Sequence, residues 1–279
     1  MRLPKAELSR QATDAIAAFP ASRKQREILD CAISLGHYIW PYEIRGMIRG
    51  ESILDVGCGR THYGAAFMAM GAKSYLGCDD KADPNGLTFR SRERKKNVPV
   101  PFSLGDASAA FPGLRYLKGH TDLIHDERFS IALLHTVTEH LMDIESVFAD
   151  IKRLIRPGGT IWFLHDNFYS WSGHHSKPKS LRVLDTADKQ QMLYTDWNHL
   201  FYEPKDPKHK FFTTLNRIRP DDLRAVTERH FTIRAWKERA ESSRILERLT
   251  PETLKRARKL GLTERDLSVK HIICTATRN

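Results

Sequence analysis

No apolar run in this sequence is long enough to cross a bilayer. The longest, Ile131-Ala132-Leu133-Leu134 and Ile161-Trp162-Phe163-Leu164, are strand-sized and fall far short of the roughly 20 residues that a membrane helix needs. Membrane insertion is therefore not expected. The first twenty residues lack the unbroken apolar core of a signal peptide, Asp14 interrupting them, so a cytoplasmic location is expected. Cysteine is scarce: Cys31, Cys58, Cys78 and Cys274 form no C-x-x-C pair, which argues against a zinc knuckle or a dithiol redox motif and leaves four reduced thiols that behave as small hydrophobes. Internal repeats and low-complexity tracts are also missing, and with them solenoid and disordered classes.

The chain does have enough material for a core. With 279 residues, 41% of them hydrophobic, it fits one large domain or one domain carrying insertions. Its formal net charge is +11, concentrated in residues 90–96, 205–210 and 217–265. Such a surface attracts polyanions and admits nucleic acid, an anionic membrane face or a phosphorylated or acidic-sugar substrate, although basic runs also serve as plain solvated faces.

Ser22-Arg23-Lys24-Gln25 has the capping-box form, and Ile28, Ala32, Leu35 and Ile39 follow at helical spacing, predicting a helix over residues 23–37 within an N-terminal helical cap, residues 1–48. Ser52-Ile53-Leu54-Asp55-Val56 reads as a buried strand, turned by Gly57 and Gly59 into a helix over residues 63–70. A second strand over residues 74–78 stops at Asp79-Asp80, a third is expected over 98–103 leading to Gly105-Asp106-Ala107, a fourth over 129–134 leading to Thr138-Glu139-His140, and a fifth over 160–164. A helix over 144–155 should end at Arg156-Pro157-Gly158-Gly159. Strands alternating with helices indicate a parallel sheet. Residues 166–216 lack periodicity and read as an insertion over the active site. A helix over 220–229, a strand over 231–236, a helical pair within residues 241–267 and a last strand over 269–277 complete a domain that runs from residue 49 to 279.

Gly57 and Gly59 have no Cβ, so backbone at this turn can approach a ligand closely. Thr61-His62 stands where the dinucleotide fingerprint has its third glycine, which counts against NAD and FAD. In order, Ile53-Leu54-Asp55-Val56-Gly57-Cys58-Gly59, the acid of Gly77-Cys78-Asp79, Gly105-Asp106-Ala107, and Glu139-His140-Leu141 leading to Leu154-Ile155-Arg156-Pro157-Gly158-Gly159 resemble the class I S-adenosylmethionine-dependent methyltransferases, especially their small-molecule, quinone-biosynthesis-like branch. The resemblance covers residues 51–165. It implies an α/β, Rossmann-like fold with a mostly parallel seven-stranded sheet, helices on both faces, and S-adenosylmethionine as cofactor.

The same resemblance implies roles for particular residues. Asp55, Gly57, Cys58 and Gly59 would line the methionine and ribose part; Asp79, or Asp80 in its place, would accept from the ribose hydroxyls; Asp106 with Ala107 would meet the adenine; and His135 would border the sulfonium. Asp79 lies about 24 residues beyond Asp55, close to the offset of a ribose-binding carboxylate. Tyr38, with Trp40 and Tyr42, either closes over the cofactor or packs in the core. Glu139 and His140 either cap and pack beneath the cofactor or touch it.

A hydroxyl acceptor needs a base, and the insertion supplies candidates: His165 with Asp166, and His174-His175. Trp171 and Trp197 among Tyr, Asn, Asp and His resemble a sugar-binding surface, so the acceptor is expected to be a sugar or glycan hydroxyl or another small molecule. His165, Asp166, His174, His175, Asp196 and His199 could gather a divalent metal such as Mg²⁺, but no metal is expected. Two other classes stay open: an RNA methyltransferase, favoured by the basic charge but without an appended RNA-binding module and with His135-Thr136-Val137-Thr138 where amino-methylating enzymes carry their Pro-Pro-Tyr motif, and a non-catalytic S-adenosylmethionine-binding regulator. The apolar residues of 241–267 would suit a lid or a homodimer contact equally.

Overall fold

Four helices open the chain in the computed structural model, which describes residues 4–86 and 101–279: α1 Lys5–Ala17, α2 Arg23–Leu35, α3 Ile39–Glu43 and α4 Arg45–Ile48. Ser22 and Gln25 exchange side-chain and backbone hydrogen bonds in a capping box at the start of α2. Gly36, at φ +78°, ends it in the left-handed region, two residues short of the predicted stop. Ile28, Leu29, Ala32 and Leu35 form the buried stripe of α2.

The alternating part follows as β1 Ser52–Val56, α5 Tyr63–Ala69, β2 Ser74–Asp79, α6 Leu104–Ala110, β3 Leu114–Lys118, β4 Phe129–His135, α7 Ile144–Leu154 and β5 Ile155–Asp166. After it come α8 Lys189–Met192, α9 Lys210–Thr213, α10 Pro220–His230, β6 Thr232–Ala240, α11 Ser243–Leu246, α12 Pro251–Lys259, α13 Glu264–Ser268 and β7 Val269–Thr277. The seven strands form one sheet in the order β3-β2-β1-β4-β5-β7-β6. β1 pairs in parallel with β2 and β4, β2 pairs in parallel with β3, and β6 and β7 are antiparallel. This is the expected Rossmann-like, mostly parallel arrangement.

One predicted strand lies partly outside the described residues: it was expected over residues 98–103, of which 98–100 are not described. Pro101 and Phe102 are not in a strand, and the chain from Leu104 is helical. The edge strand is Leu114-Arg115-Tyr116-Leu117-Lys118, whose two exposed positions, Arg115 and Lys118, are charged and suit a sheet margin. The Arg156-Pro157-Gly158-Gly159 stretch also differs from expectation, belonging to β5 once α7 has ended at Leu154.

The chain divides into two compact units, Met1–Leu134 with Arg153–Thr160, and His135–Lys152 with Ile161–Asn279. The first unit buries Ile53, Leu54, Phe67, Tyr75 and Leu76, each such apolar side chain stabilising by about 1.5–3 kcal/mol. In the second, Trp171 and Trp197 have no exposed surface and pack with Ile245, Ala257, Leu262 and Leu267. The expected helical pair over 241–267 is thus three short helices that mainly bury their apolar side chains inside their own unit. All four cysteines are buried and none is in a disulfide, and among the described residues no helix is long and apolar enough to cross a membrane.

Candidate active site: a glycine turn and a histidine-lined cavity

In the first unit the turn after β1 takes positive φ at Gly57 (+74°) and Gly59 (+61°), a conformation that costs other L-residues roughly 1–2 kcal/mol. Gly57 N–H donates to Cys78 O at 2.8 Å. Gly59 N–H donates to Asp79 Oδ2 at 3.0 Å, and Lys81 N–H donates to Asp79 Oδ1 at 2.7 Å. Each carboxylate oxygen retains a second acceptor position, so Asp79 is locked in place and still able to receive two hydroxyl groups. Asp80 turns elsewhere, its carboxylate lying 3.0 Å from His120 Nε2. Between the two acids, Asp79 is the one that faces the glycine turn.

Asp55 is buried beneath the turn and accepts the Tyr75 hydroxyl at 2.6 Å. Burial, with the Asp79 charge adding to it against the Tyr75 bond, pushes its pKa up to about 7. Cys58 is 5% exposed, and its Sγ donates to Gly59 O. Thr61, the departure from the glycine pattern, closes the loop by donating to Cys58 O at 2.9 Å.

Other cofactor candidates are placed differently from expectation. Asp106 does not end a strand: it is the third residue of α6 and accepts from the Ser103 N–H and hydroxyl, which, the backbone bond first, lower its pKa. Ala107 has no exposed surface and packs inside the first unit, so it lines no pocket. Tyr38 is 6% exposed and shares a 2.6 Å hydrogen bond with Ser9 of α1, which makes it a packing residue of the helical cap. The chain leaves the true third strand through Gly119, whose N–H donates to Asp79 O at 3.2 Å. That exit was missed because the strand before it was misplaced.

His135 belongs to the second unit, where it ends its strand and stacks on Trp162 at 6.2 Å. Thr136 follows at φ +55°, and Asn216 pins the next turn, its side chain donating to Thr138 O at 2.7 Å and Leu141 O at 2.8 Å and its N–H to Glu139 O at 2.9 Å. Beside this turn lies a cavity of roughly 180 Å³ whose lining includes Asp166, Ser170, Ser172, His175, Lys179 and His271.

Asp166 is the centre of the cavity's charge network. His271 Nδ1 lies 2.6 Å from its Oδ1, and His175 Nε2 lies 3.8 Å from its Oδ2. Burial favours the neutral acid, but the hydrogen bond from His271 and the surrounding imidazoles outweigh it and hold the carboxyl below its usual range. Its N–H approaches Glu139 Oε2 at 3.4 Å. Burial, followed by the charge of Asp166, holds the Glu139 pKa well above the usual value. His175 sits at φ +54°, and burial, then His140, depress its pKa to about 4. A strained backbone held by its surroundings is common at functional sites.

Two of the predicted bases are displaced from the cavity. His174 has no exposed surface, stacks on Tyr194 at 5.2 Å and accepts the Ser176 N–H at 3.0 Å. Burial lowers its pKa to about 2. His165 is 1% exposed, paired with Thr138 Oγ1 at 2.9 Å, and lowered to about 3 chiefly by burial. Neither can reach an acceptor in the cavity as it stands. The six-residue metal set also disperses: Asp196 bonds to Arg248 Nε at 2.6 Å and Trp171 Nε1 at 3.1 Å, and both ring nitrogens of His199 face backbone carbonyls. A different trio, Glu139, His140 and His175, has ligand atoms within 4.8 Å of one another. Trp171 and Trp197, both fully buried, are unavailable for stacking on a sugar ring. His271, Lys179 and Lys270 were missed, since nothing local marks a histidine in the last strand as the partner of a carboxylate 105 residues away.

Residues 54–163 match the family described as Methyltransferase domain. Over 115 residues the chain is 29% identical to a ubiquinone biosynthesis O-methyltransferase of Rhizobium rhizogenes, covering 41% of each chain. It is 30% identical over 115 residues to an uncharacterized 37.1 kDa transposon protein of Streptomyces fradiae, covering 40% of this chain and 29% of that one. The matches therefore span well under half the length of these curated relatives. An S-adenosylmethionine-dependent methyltransferase structure from Mesorhizobium loti aligns at 19% identity and a TM-score of 0.48, over 86% of this chain and 97% of that one. The matched residues 54–163 are the ones that carry the glycine turn, the strand-end Asp79 and parallel strands around them, so in this stretch the chain is similar to methyltransferase domains.

Proposed function

We propose that this protein is an S-adenosylmethionine-dependent methyltransferase acting on a hydroxyl group of a small polar molecule, a sugar among the candidates, with His271 as general base. Bound S-adenosylmethionine supplies an electrophilic methyl group. Gly57 and Gly59 give backbone room for it, and Asp79, fixed by two N–H donors, accepts from its ribose hydroxyls. An uncharged adenosine suits a carboxylate there, where a phosphate would be repelled. This fit at Asp79 is the ground for assigning the cofactor to the first unit.

The single observation behind the hydroxyl reading is the 2.6 Å contact from His271 Nδ1 to Asp166 Oδ1 inside the second-unit cavity. With Asp166 ionised, Nδ1 carries the proton and donates it to the carboxylate. Nε2 is then the basic nitrogen, able to take the hydroxyl proton as the acceptor oxygen gains its methyl group, and Asp166 stabilises the imidazolium that results. The residues named for catalysis are thus His271 and Asp166, with His175 beside them, while the buried His165 and His174 serve the packing.

The test joins calorimetry with S-adenosylmethionine and S-adenosylhomocysteine to a labelled-methyl assay over hydroxyl, amine and RNA acceptors. Heat with both compounds and label in hydroxyl acceptors is the expected result. No heat with either compound on folded protein removes the assignment, and label confined to amines or RNA removes the hydroxyl reading.

A further inference from the structure

The second-unit cavity has more positive than negative chemistry. Asp166, the one carboxylate among its lining residues, is already hydrogen-bonded to His271. Lys270 is shared with Glu241 at 3.3 Å. Lys179 is exposed at the cavity wall and has no acidic partner among the described residues. The Lys210 amine donates to the Ser176 hydroxyl, and among the described residues no carboxylate pairs with it. Burial, then the charge of Lys179, lowers the Lys210 pKa to about 8, and both lysines help to depress His175. Two ammonium groups that act on each other beside neutral imidazoles, with the cavity's one carboxylate already bonded to His271, would be stabilised by an anion that joins them.

The wall that carries these groups is rigid. Asn167 Nδ2 donates to Asp266 O and Val269 O, each at 2.7 Å, and Asn167 Oδ1 accepts the Tyr169 N–H at 3.1 Å. At Gly173 an added Cβ would come within 2.2 Å of Asn167 O, so only glycine permits this close return of the chain. Ser170 and Ser172, on the same segment, add hydroxyl donors to the lining.

We propose that the acceptor bears an oxyanion, a phosphate or a carboxylate, which Lys179 contacts directly and Lys210 supports, with Ser170 and Ser172 donating to its oxygens. This rests on the methyltransferase reading for the word acceptor, but the anion site itself does not.

Inorganic phosphate and propionate, titrated separately into the full chain without cofactor and followed by the histidine side-chain resonances, provide the test. Saturable binding of one or both that shifts His175 and His271, weakened at least tenfold in the Lys179→Gln, Lys210→Gln double variant with an unchanged melting temperature, is expected. Binding of phosphate alone assigns a phosphorylated acceptor; binding of propionate alone, or of both with similar strength, assigns a carboxylate. Absence of saturable binding of either, or equal binding by wild type and variant, overturns the proposal. Calorimetry with S-adenosylmethionine on the same samples separates the two readings: cofactor heat without anion binding removes this inference alone, and anion binding without cofactor heat removes the enzyme assignment alone.

Discussion

His271 Nδ1 lies 2.6 Å from Asp166 Oδ1, joining the last strand of the chain to the end of the fifth. On the other side of the same carboxylate, His175 Nε2 is 3.8 Å from Oδ2, beyond hydrogen-bond range. One carboxylate therefore orients one imidazole firmly and leaves the other adjustable. This asymmetry distinguishes a base from a neighbouring polar group within a single cavity.

His271→Ala and Asp166→Asn should each lower kcat by about 10²–10⁴-fold, the range of general base catalysis, with S-adenosylmethionine affinity unchanged by calorimetry. His174→Ala should instead leave kcat within a few-fold and cost about 2 kcal/mol in urea unfolding, through loss of packing on Tyr194. Equal loss of kcat in all three would refute the assignment of the base. Since the dyad needs no ion to act, exhaustive chelation should leave turnover intact; its loss would point to Glu139, His140 and His175 as ligands.

The buried imidazoles should lose their contribution to stability in mild acid, against an opposite contribution from Asp55 and Glu139, whose raised pKa values let the folded chain bind their protons first. Burial lowers His165 to about 3, His174 to about 2, and His175 and His199 to about 4, from an ordinary 6.5. The unfolded chain binds these protons below pH 6.5 and the folded chain does not, so the imidazole contribution is full above that pH and declines between about 6.5 and 4. Between pH 7.5 and pH 5 the unfolding free energy from urea should lose about 1 kcal/mol or more for each buried imidazole, so His174→Phe should lose less than wild type by about that amount. An equal pH dependence in the two proteins would mean that the His174 ring takes up its proton in the native state.

Asp79→Asn should weaken S-adenosylmethionine binding by about 10–100-fold, because it removes a charged acceptor from hydroxyl groups, where such bonds contribute about 1.5–3 kcal/mol. Gly59→Ala should act through the backbone, costing roughly 1–2 kcal/mol at its left-handed φ and lowering cofactor affinity in parallel. Asp80→Asn serves as the control and should leave affinity unchanged, its carboxylate being engaged with exposed His120. If Asp80→Asn were the damaging change, the ribose site would move to that residue.

Local chemistry made much of the first unit readable. The strand over residues 52–56, the Gly57 and Gly59 turn, the helix that begins at Tyr63 and the strand ending at Asp79 each rest on short-range signals: apolar runs, positive-φ glycines and helix starts. The edge strand over residues 114–118 was not read from the sequence because it carries Arg115 and Lys118 on a half-solvated margin. Asp106 was misplaced with it. Trp171 and Trp197 illustrate a different failure, since a surface aromatic and a core aromatic have the same sequence appearance until a partner such as Ile245 or Leu262 is known.

By itself the sequence determined the family-level architecture and the cofactor turn, because those depend on residues within about thirty positions of one another, where backbone conformation and hydrophobic period act directly. Only the tertiary structure decided which histidine could serve as base. His165, His174, His175 and His271 are chemically identical side chains, and their difference lies in burial, in the 105-residue separation closed between Asp166 and His271, and in the charges that surround each ring. Those are properties of packing, and no local pattern encodes them.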